Sequence, residues 1–306
     1  MNKFSVWISV LRLRTLPLAS SSIIISGALA LQAHIFNFFI FILSLSTALL
    51  LQILSNLAND YGDVKAGTDT VQRLGPKRGM QKGEISLKSM KKAIIITISI
   101  TLISGFSLLW LALGNDLFSW MLFLTLGILA IVGAITYTMG RYPYGYRAMG
   151  DISVFLFFGL LGVLGGLYLY DLSFNWMALY PACSIGLFSA AVLNINNMRD
   201  FETDKMANKI TLVVLFGRDF AFKYHLFLIC MAPLLSIGYI YSLETAHIWQ
   251  YIFLLVISPL IKTAIALHRT LQDIPKNGLI FNEQLKNTAL TTFVFSLLFA
   301  LAVIPQ

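Results

Sequence analysis

Long runs of apolar residues, separated by short polar segments, dominate this chain. Nine runs are long enough to be membrane-spanning helices, because about 20 mostly apolar residues cross a bilayer as an α-helix. We place these runs at residues 16–33, 36–58, 93–113, 117–139, 151–170, 175–198, 223–243, 247–267 and 287–304. The pattern predicts an all-α integral membrane protein, a nine-helix bundle that forms a single domain over residues 1–306.

The composition and the charge distribution support a membrane protein. Hydrophobic residues make up 58% of the 306 positions and charged residues 12%, which is too apolar for a soluble domain. The net charge of +8 does not indicate nucleic-acid binding, because the 22 Lys and Arg residues are confined to the N-terminus and four loop regions. Basic loops are typical of the cytoplasmic side of a membrane. We therefore expect a multi-pass membrane protein, with the N-terminus cytoplasmic and the C-terminus on the opposite side.

Two acid-rich motifs lie where apolar runs end, and they carry most of the functional information. The first motif is residues 56–63 and the second is residues 196–204. In the second, Asn196, Asp200 and Asp204 are four residues apart, a spacing that predicts one face of one helix. The first motif has a similar spacing at Asn56, Asp60 and Asp63, or at Asn59 and Asp63. Acids at membrane helix ends are costly unless a cation compensates them, so two motifs suggest a shared cationic ligand.

Magnesium bound to a phosphate group is the ligand that fits these residues best. Mg²⁺ prefers oxygen ligands and usually takes one or two carboxylates together with substrate phosphates. The predicted metal ligands are Asp60, Asp63, Asp69, Asp200 and Asp204. Basic and amide side chains nearby could bind a diphosphate. The predicted diphosphate-binding residues are Asn56, Asn59, Arg73, Lys77, Arg78, Asn196 and Lys209. The alternative is that the acids are ordinary solvated carboxylates and that the basic residues serve only membrane topology.

Other candidate residues carry weaker signals. Asp151 begins the fifth apolar run, where it could orient a hydroxyaromatic substrate, take a proton or simply cap the helix. The four His residues have no ligand spacing with one another or with a Cys pair, so the sequence does not indicate zinc. It also lacks the glycine-rich loops of nucleotide-binding proteins.

The two motifs resemble those of a known family. The segments Asn59-Asp-Tyr-Gly-Asp63 with Gly67-Thr-Asp69, and Asn196-Asn-Met-Arg-Asp200-Phe-Glu-Thr-Asp204 with Lys209-Ile-Thr211, are similar to the aspartate-rich motifs of the UbiA superfamily of intramembrane aromatic prenyltransferases. The segments at residues 13–17, 142–147 and 150–159 resemble the branch that prenylates 1,4-dihydroxy-2-naphthoate. The superfamily's first motif often has a third Asp where this chain has Gly67, which makes the metal role of Asp69 less secure than that of Asp63.

The resemblance implies a nine-helix bundle with a central cavity that opens towards lipid. It implies that Mg²⁺ held by Asp60, Asp63, Asp200 and Asp204 binds the diphosphate of an all-trans polyprenyl diphosphate. It further implies transfer of the polyprenyl group to 1,4-dihydroxy-2-naphthoate, with loss of carbon dioxide and diphosphate, to give demethylmenaquinol in menaquinone biosynthesis.

Two other functions remain open on sequence alone. An enzyme with the same metal motifs could prenylate another aromatic acceptor, such as 4-hydroxybenzoate. A secondary transporter is a different class, but its charges are expected near the bilayer midplane, whereas the acids here lie at helix ends. The isoprenoid length and the oligomeric state leave no sequence signal.

Overall fold

The computed structural model describes residues 3–67, 74–75, 79–80, 82–243, 246–271 and 274–304. In these ranges nine helical spans are long and apolar enough to cross a membrane, which confirms the predicted nine-helix bundle. The α-helices are α1 Lys3–Leu11, α2 Leu16–Gln32, α3 Phe38–Ala66, α4 Leu87–Leu113, α5 Leu117–Thr136, α6 Gly150–Val154, α7 Gly166–Asp171, α8 Leu179–Arg199, α9 Phe201–Met206, α10 Leu212–Tyr241, α11 Ile257–Thr270 and α12 Ile274–Val303.

Shorter helical segments complete several spans. The 3₁₀ segments are Leu13–Thr15, Tyr144–Tyr146, Trp176–Ala178 and Ile248–Val256. The first of them joins α1 to α2, so the first span begins with a short extra helix that the apolar pattern does not predict. The fourth leads into α11 and forms the first part of the eighth span.

The ends of the helices that carry the acid-rich motifs differ from the prediction. Helix α3 continues to Ala66, well past the predicted end at residue 58, and Gly67 caps it at a φ of 72°. Helix α8 ends at Arg199, and Asp200 has a φ of −92° and a ψ of 9° before α9 begins. The prediction of one continuous helix from Asn196 to Asp204 is therefore wrong. The Asp204 N–H still donates to the Asp200 carbonyl at 2.8 Å, which keeps both acids close.

The fifth span, Gly150–Asp171, changes its helical form in the middle of its length. Residues Phe155–Gly165 form a π-helix between α6 and α7, and such segments are rare and often lie at functional sites. A Cβ added at Gly159 would lie 2.7 Å from the Gly186 Cα, so this span and α8 approach closely. The Ser22 hydroxyl donates to the Phe158 carbonyl at 2.6 Å, which gives a partner to a π-helical backbone group.

One buried cluster lies between α8, α10, α12 and the Ile248–Val256 segment that leads into α11. Its wholly buried aromatic side chains are Phe188, Phe253, Phe295 and Phe299. The outer helices α4 and α5 instead expose large apolar side chains such as Trp110 and Phe118. Exposed apolar side chains on a membrane-spanning helix are suited to contact with lipid. Helices α2, α3 and α8 and the π-helix lie between the two regions, and they enclose the cavity described next.

Candidate active site

A cavity of about 390 Å³ runs between the spans. Its apolar end includes Leu108, Phe123 and Leu169, together with the hydroxyl-bearing Ser44 of α3. At its other end both acid-rich motifs line the wall. The polar residues there are Arg12, Arg14, Asn56, Asn59, Asp63, Asn196, Asp200, Asp204 and Lys209. The cavity therefore combines a charged end with a long apolar interior.

The carboxylates of the first motif have close polar partners. Asp60 is fully buried and forms an ion pair with Arg12, which lies 48 residues earlier in the chain. Asp63 accepts a hydrogen bond of 2.9 Å from the Tyr146 hydroxyl. Asn59 accepts one of 3.1 Å from the Thr138 hydroxyl. Of these motif residues, Asn59 and Asp63 face the cavity, whereas Asp60 lies behind its wall.

Asn56 holds the turn that joins α1 to α2. Its Nδ2 donates to the Leu11 carbonyl and to the Thr15 hydroxyl, both at 3.0 Å. Arg12 stands within this turn, at a left-handed φ of 51°. The turn brings the guanidinium groups of Arg12 and Arg14 to the charged end of the cavity. Sequence reasoning treated both arginines as topology signals only, although the segment at residues 13–17 was part of the family resemblance.

The second motif is organised around a buried arginine. The Arg199 Nε and Nη2 atoms donate to the two Asp200 carboxylate oxygens at 2.8 and 2.6 Å. The Nη2 atom also donates to Asn196 Oδ1 at 2.8 Å. Arg199 is 2% exposed, so its charge and that of Asp200 compensate each other away from water. Arg199 was not among the predicted site residues.

Lys209 links the two motifs electrostatically. Its Nζ lies 3.2 Å from Asp204 Oδ1 and 5.6 Å from the centre of the Tyr146 ring. Burial raises the pKa of Asp204 to about 6, against the opposing effect of Lys209. Burial alone would lower the pKa of Lys209, but the charges of Asp204, Asp63 and Asp200 together raise it. The lysine is therefore a stable cation at a site rich in carboxylates.

The tyrosine-rich segment at residues 142–147, which follows α5, contacts both motifs. Its Tyr146 ring contacts Lys209 while its hydroxyl binds Asp63. The backbone of this segment also pairs with the chain beyond the second motif, through hydrogen bonds from Ala148 to Ile210 and from Ile210 to Tyr146. From sequence alone, each tyrosine of this segment is better explained as an ordinary residue of a membrane interface.

The donor set at the charged end fits a hard divalent cation. Carboxylate and amide oxygens are the ligands that Mg²⁺ takes, and Asp204 Oδ2 is buried with no hydrogen-bond partner within the described residues. No three acid, His or Cys side chains of the described ranges surround one point as a complete metal cage. That arrangement is compatible with magnesium, because Mg²⁺ commonly takes one or two protein carboxylates and fills its other positions with water and phosphate oxygens.

The structure also locates the remaining predicted residues. Asp151 is buried at the start of α6, outside the cavity lining, and its Oδ1 has no hydrogen-bond partner within the described part of the chain. Asp69, Arg73, Lys77 and Arg78 lie outside the described residues.

Two bacterial proteins with similar sequences carry the same name. The chain is 42% identical over 298 residues to the 1,4-dihydroxy-2-naphthoate octaprenyltransferase of Escherichia coli (strain K12), covering 97% of this chain and 96% of that protein. It is 46% identical over 268 residues to the protein of the same name from Haemophilus influenzae, covering 86% and 85% respectively.

Solved structures with a similar fold are more distant in sequence. A UbiA homolog from Aeropyrum pernix K1 matches with a TM-score of 0.61 at 18% identity, covering 94% of this chain and 96% of that one. A UbiA homolog from Archaeoglobus fulgidus, solved with DMAPP and Mg²⁺, matches with a TM-score of 0.58 at 19% identity, covering 98% and 99%. The sequence model of the UbiA prenyltransferase family matches residues 20–282. This chain therefore belongs to the UbiA prenyltransferase family.

Proposed function

We propose that this protein transfers a polyprenyl group from polyprenyl diphosphate to 1,4-dihydroxy-2-naphthoate, releasing carbon dioxide and diphosphate. The observation that carries the proposal is a single cavity with two acid-rich motifs at one end and an apolar interior at the other. A prenyl diphosphate has the same division between a charged head and an apolar tail. The activity named for the two bacterial relatives supplies the acceptor, and their similarity extends over most of the chain.

The charged end binds the diphosphate head in this proposal. Asp63, Asp200 and Asp204 hold divalent metal there, and Asn59 and Asn196 add amide groups. When bound there, Mg²⁺ would supply positive charge that stabilises the diphosphate as a leaving group. Lys209, Arg12 and Arg14 add cationic groups at the same end, and the departing electron pair stays on the diphosphate.

The remainder of the cavity protects the reacting carbon centres from water. The allylic cation is attacked by the ring carbon that bears the naphthoate carboxylate, and a carbon–carbon bond forms. The bond between the ring carbon and the carboxylate carbon then breaks, and carbon dioxide leaves. The electron pair of that bond stays on the ring and restores the aromatic ring of demethylmenaquinol. Phe157 and Phe158 of the π-helix and Tyr137 form part of the wall and limit access of water to the cation.

Asp60 and Asp151 take different roles from the residues that face the cavity. Asp60 supports the site indirectly, because its buried carboxylate holds Arg12. Asp151 stays a candidate for orienting the acceptor, since its buried carboxylate lies on the span that continues into the cavity wall.

The test is an assay of the purified protein in detergent with polyprenyl diphosphate and one of two acceptors. We expect prenylated naphthol and carbon dioxide from 1,4-dihydroxy-2-naphthoate with Mg²⁺, and loss of both products in EDTA. If only 4-hydroxybenzoate gives a product, the proposed acceptor is wrong but the proposed prenyl transfer stands. No product from either acceptor would refute the proposal.

We also propose that the charged end faces the cytoplasm of a bacterial inner membrane. Lys82, Lys88, Lys91 and Lys92 are exposed near the start of α4, at the same end of the bundle as the acid-rich motifs. Excess Lys and Arg mark cytoplasmic loops. In a background without Cys183 and Cys230, a membrane-impermeant maleimide added to whole cells should label Asn115→Cys and spare Lys88→Cys. The opposite labelling would invert the proposed topology.

A further inference from the structure

Asn282 lies on α12, beyond both acid-rich motifs, yet it contacts two segments of the site. Its Oδ1 accepts a hydrogen bond of 2.7 Å from Arg199 Nη1. Its Nδ2 donates to the Leu74 carbonyl at 3.2 Å. One amide side chain therefore connects the second motif to Leu74, which follows the first motif. Leu74 lies 208 residues before Asn282 in the sequence.

The contact with Arg199 bears directly on Asp200. The planar Arg199 guanidinium places Nε and Nη2 on the Asp200 carboxylate while Nη1 points to Asn282. Because the guanidinium is rigid, the group that holds Nη1 also sets the angle at which the other two nitrogens meet the carboxylate. Two hydrogen bonds from one rigid group fix the plane of the Asp200 carboxylate.

The contact with Leu74 is supported by close packing. A Cβ added at Gly278, one turn before Asn282 on α12, would lie 2.9 Å from the Leu74 Cβ. Leu74 also packs against the cluster of buried residues that includes Phe281 and Leu285. The missing side chain of Gly278 thus makes room for Leu74 directly beside the Asn282 amide.

We propose that Asn282 is a positioning residue that orients Asp200 through Arg199 and also holds Leu74 against α12. The inference rests on the proposed function in taking Asp200 as a metal ligand. Asn282 does not line the cavity and acts through its neighbours. Its removal would leave a buried Arg199 nitrogen without a partner, and the guanidinium and the Asp200 carboxylate would then lose their defined orientation.

The first test uses electron paramagnetic resonance to measure Mn²⁺ binding to the purified full-length protein in the presence of pyrophosphate. We expect Asn282→Ala to weaken Mn²⁺ binding by about 10- to 100-fold, the usual effect of removing a group that orients a metal ligand. The matched control is Asn194→Ala, because Asn194 is buried and also donates to a backbone carbonyl, that of Ala221 at 2.8 Å. The control should bind Mn²⁺ like the wild type. Equal Mn²⁺ affinity in Asn282→Ala and the wild type would overturn the proposal.

A second variant separates the two contacts and covers the case in which Asn282→Ala does not fold. Asn282→Asp keeps an acceptor for Arg199 but cannot donate to the Leu74 carbonyl. We expect near-normal Mn²⁺ binding together with faster trypsin cleavage at the exposed Lys82. Weak Mn²⁺ binding in this variant would refute the role of the Arg199 contact. An unchanged cleavage rate would refute the role of Asn282 in holding Leu74 against α12.

These measurements are independent of the aromatic acceptor. If the wild type binds Mn²⁺ but fails to prenylate 1,4-dihydroxy-2-naphthoate, the proposed acceptor fails while the role of Asn282 stands. If the wild type is active and Asn282→Ala retains normal metal binding, only the inference about Asn282 fails.

Discussion

Arg12 combines an unfavourable backbone conformation with a buried ion pair. Its φ of 51° lies in the left-handed region, which costs free energy for a residue with a Cβ. Its partner Asp60 is fully buried on α3, and the turn around Arg12 is held by Asn56. The local cost is tolerated because the turn brings a cation to the first acid-rich motif.

Replacing Arg12 should therefore destabilise the protein strongly. We expect Arg12→Ala to lower the free energy of unfolding by about 3–5 kcal/mol, because it removes a cation that is paired with a buried carboxylate. Adding Asp60→Asn in the same chain should recover part of this loss, since a neutral amide is cheaper to bury. Thermal unfolding of the wild type and the two variants in detergent measures the effect. Equal stability of Arg12→Ala and the double variant would argue against an important ion pair.

The cavity-facing acids give a prediction about catalysis. Asp63→Asn and Asp200→Asn each keep the side-chain shape but remove a negative charge from the charged end. We expect each to lower kcat/KM by about 100-fold or more, because charge stabilisation of the leaving group is lost. Asp219→Asn, at an exposed position of α10, is the control and should retain full activity. Normal turnover in both site variants would remove the metal site from the proposal.

At the scale of elements, the π-helix depends on small residues. A Cβ added at Gly162 would lie 2.7 Å from the Ser22 Cβ, whereas one at Gly127 of α5 would meet nothing within 4 Å. We expect Gly162→Ala to destabilise the protein by about 1–3 kcal/mol through overpacking. Gly127→Ala is the matched control and should be neutral or slightly stabilising. Thermal unfolding compares the two, and equal midpoints would mean that the π-helix tolerates added volume.

The sequence predicts these elements unevenly. The nine spans follow from apolar length alone and are confirmed. The π-helix has no such signal, because residues 155–165 are almost uniformly apolar and carry no periodic pattern. The break at Asp200 was also missed, since a four-residue spacing of Asn and Asp looks the same in one helix or in two that nearly continue each other.

At the scale of the whole molecule, the missed site residues share one cause. The pairing of Arg12 with Asp60 and that of Arg199 with Asn282 join positions 48 and 83 residues apart. Local patterns cannot show which distant cation meets which acid, and a basic residue near a membrane helix already has an explanation in topology. The two acid-rich motifs were visible because each contains several acids and amides at short spacing. Their catalytic and metal-binding roles stay predictions.

Ligand binding at the charged end should stabilise the whole fold. That end draws residues from α3, α8 and the turn before α2, so a ligand that binds there requires all of them to be folded. We expect Mg²⁺ with pyrophosphate to raise the unfolding temperature, by an amount equivalent to about 2.7 kcal/mol at 100 times the dissociation constant. Asp200→Asn should show a much smaller increase. An equal increase in wild type and variant would place the binding elsewhere.

The length of the cavity has a consequence for the design of inhibitors. Along α3, Ser44 at the apolar end and Asp63 at the charged end are separated by about 28 Å at the helical rise of 1.5 Å per residue. In a series of alkyl bisphosphonates, each further methylene that enters this space should improve the inhibition constant roughly fourfold, from about 0.8 kcal/mol per buried methylene. The gain should stop once the alkyl chain reaches the level of Ser44, so the chain length at the plateau would measure the depth of the cavity.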